Sequence, residues 1–207
     1  MVLKNASFIC LLLVAWVVNG HGAAGRDASS GPIATATFAG GCFWCMEHHF
    51  DELDGVLSTT SGYTGGHKKV PTYAEVSRGG TGHTEAVQVR YDPKKIGYVK
   101  LLEVFWSNIY PFTANRQFCD AGSQYRPGIF YHDAEQKALS EKSQKALQGS
   151  GRFDVSIVVE IAQATEFYKA EKYHQDYYRK NPIRYAICRY SCGRDRRLKE
   201  IWGEHQG

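Results

Sequence analysis

Past residue 32 the chain reads as a series of short apolar patterns separated by Gly- and Pro-containing breaks. Ile33 to Phe38 alternates apolar and small polar residues, which predicts a strand, and Gly40-Gly41 breaks it. From Phe43 to Leu53, apolar residues recur at helical spacing (Trp44, Met46, Phe50, Leu53) until Gly55 ends the run. Val56 to Tyr63 is rich in β-formers and closes on Gly65-Gly66. Glu85 to Tyr91 alternates cleanly and stops at Asp92-Pro93. Tyr98 to Ile109 predicts an amphipathic helix with Val99, Leu102, Phe105, Trp106 and Ile109 on one side. Gly128 to Tyr131 reads as a short strand, Ala134 to Leu147 as a polar-faced helix, and Val155 to Ile161 as a further strand.

The core order is strand, helix, strand, strand, helix, strand. That is the split βαβ pattern, so the expected fold class is α/β (α+β). It predicts a ferredoxin-like core, a two-layer sandwich with helices on one face of a mostly antiparallel sheet. After Glu166 the chain turns aromatic and irregular (Phe167, Tyr168, Tyr173, Tyr177, Tyr178, Tyr185). With no second core following, this stretch is expected to wrap back over a single domain spanning residues 33–207.

The start of the chain has a different character. Lys4 precedes an apolar stretch from Phe8 to Val18, and small residues follow in Gly20-His21-Gly22-Ala23-Ala24. This predicts a secretory signal peptide over residues 1–24, cut after Gly20 or Ala24. An apolar run of about eleven residues is short for a membrane span, so membrane attachment is expected only if the segment stays uncleaved. Residues 25–32 read as a flexible lead-in. The mature protein is expected to be secreted or periplasmic, where disulfides persist. Cys10 leaves with the signal, and the remaining Cys42, Cys45, Cys119, Cys188 and Cys192 are odd in number, which requires at least one free thiol.

The formal net charge is a mild +4, part of it in Arg194, Arg196, Arg197 and Lys199. That run reads as a solvated helix face, and too few basic residues share one surface to predict nucleic-acid binding.

Chemistry concentrates at Gly40-Gly41-Cys42-Phe43-Trp44-Cys45. The glycines allow a sharp turn, which sets Cys42 at a helix start where the dipole favours thiolate. Cys45, three residues on, brings a second sulfur to nearly the same helical face. The pair reads as redox-active, or as half of a zinc site completed by Cys188 and Cys192. Phe43 and Trp44 read as core, or as an apolar wall for a methyl or thioether group. Glu85 follows the Gly-rich Gly82-His83-Thr84. Tyr73, Asp120 and Tyr125 lie in turn-rich segments, where site residues gather. His48 and His49 read as surface residues.

These residues form an ordered set: Gly41-Cys42-Phe43-Trp44, Gly62-Tyr63-Thr64-Gly65-Gly66, Pro71-Thr72-Tyr73, Gly82-His83-Thr84-Glu85, Gly122-Ser123-Gln124-Tyr125-Arg126 and Tyr173-His174-Gln175-Asp176-Tyr177. The set resembles the A-type peptide methionine sulfoxide reductases from about Thr35 to Tyr178. The resemblance implies a split-βαβ fold and reduction of methionine S-sulfoxide, free or in proteins. It implies that Cys42 attacks the sulfoxide sulfur while Phe43 and Trp44 receive the methyl group. Glu85, with Tyr73 and Tyr125, would hold the oxygen; Glu85 would protonate it, and Asp120 would help organise the site. It further implies no bound cofactor or metal, with a thioredoxin-like protein or other dithiol as reductant.

A sulfenic acid left on Cys42 must then be resolved by another thiol. The family often has Gly where Cys45 stands and a Gly-rich tail carrying resolving cysteines, whereas this tail is basic and continues into a helix ending near Trp202. Proximity favours Cys45 as the resolving thiol, with Cys192 as the alternative and Cys188 and Cys119 behind. Two further readings are a general thiol–disulfide oxidoreductase using Cys42 and Cys45, and a zinc-stabilised binding module. A monomer would suit an enzyme that must admit varied protein chains.

Overall fold

The computed structural model describes residues 32–203. The expected signal segment, residues 1–24, and residues 25–31 of the expected lead-in lie outside the described residues. Strand β1 (Ala34–Ala39) leads into α1 (Phe43–Asp51), then β2 (Val56–Thr64), α2 (Tyr73–Arg78), β3 (Thr84–Tyr91) and α3 (Tyr98–Ser107). A small ribbon of β4 (Arg116–Gln117) and β5 (Asp120–Ala121) and a 3-10 turn at Ser123–Tyr125 follow. Next come β6 (Gly128–Tyr131), α4 (Ala134–Gln148), β7 (Glu160–Gln163) and β8 (Tyr168–Lys169). A 3-10 turn at Lys172–His174 precedes α5 (Tyr177–Lys180), α6 (Pro182–Ser191) and α7 (Arg194–Trp202).

The sheet order is β7-β6-β1-β3-β2-β8, antiparallel throughout except for the parallel β6–β7 pair. Its four central strands, β6-β1-β3-β2, reproduce the split βαβ arrangement, so the expected mixed α/β fold is observed. The main core lies between the sheet and its helices. Phe38 of β1 stacks on Phe50 of α1 at 5.0 Å and on Phe105 of α3 at 5.3 Å. Each such fully buried side chain contributes about 1.5–3 kcal/mol of hydrophobic stabilisation.

The opposite face carries small side chains, Ala39 and Ala86, and is covered by the strand-to-strand segment holding Ala164 and Phe167. A Cβ on Gly62 would stand 2.4 Å from the Phe167 ring, so the bare backbone of β2 is what lets this strap cross. With both faces covered, β1 is buried continuously from Ala36 to Ala39 rather than on alternate residues.

Three expectations need correction. The run Val155 to Val159 is not strand. Ile157 N–H donates to Gln148 Oε1 and Val158 N–H to the Pro111 carbonyl, and pairing starts at Glu160 because that residue meets Gly128, the first of β6. The tail is more regular than expected: it adds β8 to the edge of β2 and then forms α5, α6 and α7. Arg194 is not on a solvated face but is fully buried. Among the described residues no helix is long and apolar enough to cross a membrane.

Candidate active site

Gly41 turns the chain from β1 into α1 at φ +81°, and a Cβ there would lie 2.5 Å from that of Gln117. Only glycine fits both constraints. The turn leaves Cys42 as the N-cap residue of α1, with no side-chain capping bond. The unpaired amide of the next residue, Phe43, instead donates to Glu85 Oε2 at 3.0 Å. Glu85 reaches it because the period of two along β3 puts it on the face of Val87, Val89 and Tyr91, toward α1. Its register neighbour on β2 is Tyr63.

A carboxylate suits a helix N-terminus, but Glu85 is only 2% exposed. Burial pushes its carboxyl up to about 8, the Phe43 amide opposes this, and the nearby Asp120 and Cys45 add to it. Glu85 is therefore largely protonated at neutral pH.

Aromatic rings enclose the space above this carboxyl. Phe43 is buried, with ring centroids 5.0 Å from His174, 5.9 Å from Tyr63 and 6.5 Å from Tyr73. Trp44 lies flat on Tyr177 at 3.7 Å, and its indole N–H donates to His174 Nδ1 at 3.0 Å. Glu171 ties these pieces together by accepting from the Tyr73 amide and the Tyr63 hydroxyl, each at 2.8 Å. Burial pushes the Tyr73 phenol up to about 12, aided by Glu85 and Cys42. Tyr125 is raised by burial and by the charges of Glu85 and Tyr73. Both phenols keep their protons and can donate hydrogen bonds. Tyr73 begins α2, whose Thr72–Glu75 capping box fixes its start, and Tyr125 closes the 3-10 turn beside Asp120 of β5. Cys42, Phe43, Trp44, Cys45, Tyr73, Glu85, Asp120 and Tyr125 are thus brought to one end of the sheet.

The thiols differ from the expectation in one respect. Cys42 is raised above the ordinary cysteine range by its side-chain hydrogen bond with Cys45, by burial, and by the charges of Cys45, Glu85 and Asp120. Cys45 is lowered, chiefly by the same hydrogen bond, and further by Arg194 and Arg189. The two thiols share a proton through this hydrogen bond, and the directions of the two shifts favour Cys45 as the charged partner. The helix dipole alone would have favoured thiolate at Cys42, but the hydrogen bond with Cys45 and burial outweigh it there.

Cys192 is joined to Cys119 in a disulfide, while Cys42, Cys45 and Cys188 are free. The four cysteines of the zinc reading are therefore not brought together. Nor are the adjacent histidines surface residues. Both are half-buried, and His48 hydrogen-bonds the Tyr185 hydroxyl at 3.1 Å and Glu52 at 2.9 Å.

Tyr63, Glu171, His174, Tyr177 and Arg194 also belong to the surroundings of the site, which the sequence does not announce. Tyr63, His174 and Tyr177 sit inside motifs used only as family markers, and His174 and Tyr177 lie three residues apart, a spacing that could have flagged them. Glu171 and Arg194 gave no local signal.

A free thiol pair at a helix start, beside a buried carboxyl and under an aromatic wall, places the molecule among thiol oxidoreductases. The family model described as peptide methionine sulfoxide reductase matches residues 34–206. The chain is 52% identical over 170 residues to "Peptide methionine sulfoxide reductase MsrA" of Listeria monocytogenes, covering 82% of this chain and 96% of the relative. The relative of the same name from Streptococcus agalactiae is 53% identical over 167 residues, covering 81% and 98%.

Among solved structures, Mxr1 from Saccharomyces cerevisiae in reduced form matches with TM-score 0.65 and 35% identity over 73% of this chain and 87% of that one. Methionine sulfoxide reductase A of Corynebacterium diphtheriae matches with TM-score 0.64 and 33% identity over 73% and 76%. The chain belongs to the peptide methionine sulfoxide reductase family. It is an oxidoreductase that reduces methionine sulfoxide by thiol chemistry, which decides against a zinc-stabilised binding module and a general disulfide exchanger.

Proposed function

We propose that this site reduces the S epimer of methionine sulfoxide, free or within proteins, with Cys42 as nucleophile and Glu85 as acid. The observation that carries the reading is the buried Glu85 carboxyl, 3.0 Å from the amide of the residue that follows Cys42 and shifted to about 8. A sulfoxide sulfur is a poor electrophile until its oxygen is protonated or strongly hydrogen-bonded, so an acid must face the thiol. Tyr73 and Tyr125 donate to the same oxygen, Phe43 and Trp44 seat the methyl group, and Asp120 keeps the carboxyl pair high.

Cys42 gives its proton to the Cys45 thiolate as it bonds to the sulfoxide sulfur, and Glu85 protonates the oxygen. The hydroxyl then passes to the Cys42 sulfur as the S–S and S–O bonds of this adduct break, which releases methionine and leaves a sulfenic acid on Cys42. The substrate sulfur is reduced and the Cys42 sulfur oxidised by the same electron pair. Cys45 then gives the sulfenic oxygen its proton and attacks the sulfur, releasing water and leaving a Cys42–Cys45 disulfide. The Cys45–Cys42 hydrogen bond and the engagement of Cys192 with Cys119 support Cys45 over Cys192. A thioredoxin-like dithiol restores the pair by exchange, and no bound cofactor takes part. We assign the protein to the secreted or periplasmic space as a monomer, on the pattern of residues 1–24 and the need to admit varied chains. N-terminal sequencing of exported protein should find the cut after Gly20 or Ala24; an intact Met1 would reject it.

The test of the acid is Glu85→Gln assayed with a methyl sulfoxide and dithiothreitol. It should lose sulfoxide reduction by about 10²–10⁴-fold while still exchanging disulfides; normal reduction would overturn the assignment. Mass spectrometry of disulfides after a single turnover should find Cys42 joined to Cys45. A Cys42–Cys192 bond would transfer the resolving role.

A further inference from the structure

Arg194 is among the largest fully buried side chains of the described residues, 1% exposed, and stands at the start of α7. Its Nη2 donates to the carbonyls of Asn108 at 2.6 Å and Gly40 at 3.2 Å and lies 3.1 Å from Met46 Sδ. The guanidinium carbon sits 4.4 Å over the Phe118 ring, and Nε has no hydrogen-bond partner. Among the described residues no carboxylate lies within ion-pair distance of it, whereas its neighbours Arg189 and Arg197 each have one. A buried cation without a counter-charge costs several kcal/mol. Something nearby must supply the negative charge.

Position identifies it. Arg194 Nη1 comes within 3.8 Å of where a Gly41 Cβ would stand, and Gly40 and Met46 flank the Cys42–Cys45 turn in sequence. We infer that Arg194 is the buried counter-ion of the Cys42–Cys45 pair, a positioning residue that lets the two sulfurs hold one negative charge between them. This deepens the thiol mechanism above and rests on it. The pair is otherwise faced by Glu85 from β3 and Asp120 from β5, and by Tyr73 and Tyr125 from the adjoining turns. On the α6 side it meets Tyr185, Cys188 and Arg189. Two of these are carboxyls that oppose thiolate, and Arg189 is already committed to Asp195 at the surface. Arg194 is the buried positive charge with no ion-pair partner of its own among the described residues, bearing on Asp120 as well as on the thiol pair. The Cys119–Cys192 disulfide fastens the tail two residues upstream of Arg194 and next to Phe118, against which the guanidinium rests.

The test reads thiolate directly, by alkylation rate against pH in the reduced protein, so it does not depend on the sulfoxide chemistry. Arg194→Gln and Arg194→Met should move the alkylation midpoint of the pair up by about one pH unit or more, with roughly tenfold less thiolate per unit below the midpoint. The acid limb of kcat/KM should move with it, and Arg194→Lys should restore most of the shift. A purely packing role would lower the unfolding midpoint and leave the alkylation midpoint in place, which would overturn the inference. A second readout isolates one thiol: in Cys42→Ser/Cys188→Ser with the Cys119–Cys192 disulfide kept, Cys45 should titrate about one pH unit lower with Arg194 present than in the same background carrying Arg194→Gln. Equal midpoints in the two backgrounds would also overturn it. Intact thiolate behaviour with no sulfoxide turnover would instead reject the mechanism and spare the counter-ion.

Discussion

Cys42 and Cys45 stand on the first turn of α1 with Glu85, Asp120, Arg189 and Arg194 around them, and they are free. Cys119 and Cys192 are 73 residues apart in sequence, join the ribbon to the start of α7, and are bonded. The first pair is close because the helix places residues i and i+3 side by side; the second is close only because the tail folds back. Local proximity gives a reactive pair whose charges are set by buried neighbours. Distant proximity gives a cross-link that restricts the unfolded chain and holds the tail against the site. Sulfur chemistry is the same in both, and the surroundings assign the work.

The contrast breaks most sharply at Cys42. Cys42→Ser is expected to lower kcat/KM for methionine sulfoxide by about 10⁴-fold or more, with the Cys119–Cys192 disulfide still found by peptide mapping. Retained activity would move the nucleophile to another thiol.

The pH profile of wild-type kcat/KM tests the surroundings of the same pair. The pair gains its charge as pH rises through about 6, so activity should rise there. Glu85 loses its proton as pH rises through about 8, so activity should fall there and leave a bell. The Glu85→Gln variant should lack the alkaline limb. A wild-type profile flat from 7 to 10 would remove the acid from the mechanism.

The distant pair should show its effect in stability. Cys119→Ser opens the cross-link and is expected to cost about 2–4 kcal/mol, read as a lower denaturation midpoint. The yield of methionine in a single turnover should persist. Loss of that first turnover would make this disulfide part of the catalytic relay.

The smallest effect is expected at Cys188, a half-buried free thiol raised by burial. Cys188→Ser should change stability by about 0.5 kcal/mol or less and leave the single-turnover disulfide map unchanged. A new map would show that Cys188 had been resolving Cys42.

Local pattern carried a good part of this molecule. The alternation in β3 fixes which face Glu85 takes, since successive strand residues point to opposite sides. The glycines and helical spacing after Gly41 fix that Cys42 starts a helix and that Cys45 lies one turn on. Element order alone leads to the split βαβ sheet. The same local logic misleads at Val155 to Val159, where β-branched residues read as strand but no partner strand stands beside them, because β6 begins only at Gly128.

Neighbouring residues alone settle the set of elements and the phase of each side chain on them, because periods of two and 3.6 are local properties. Folding of distant segments is what brings Glu85 to the amide after Cys42 and sets His174, 130 residues on, against Trp44. The pairing of Cys119 with Cys192 and the burial of Arg194 inside a basic run belong to the same class. These are meetings of distant segments, where burial strengthens charge interactions and shifts proton affinities by amounts that no local pattern encodes.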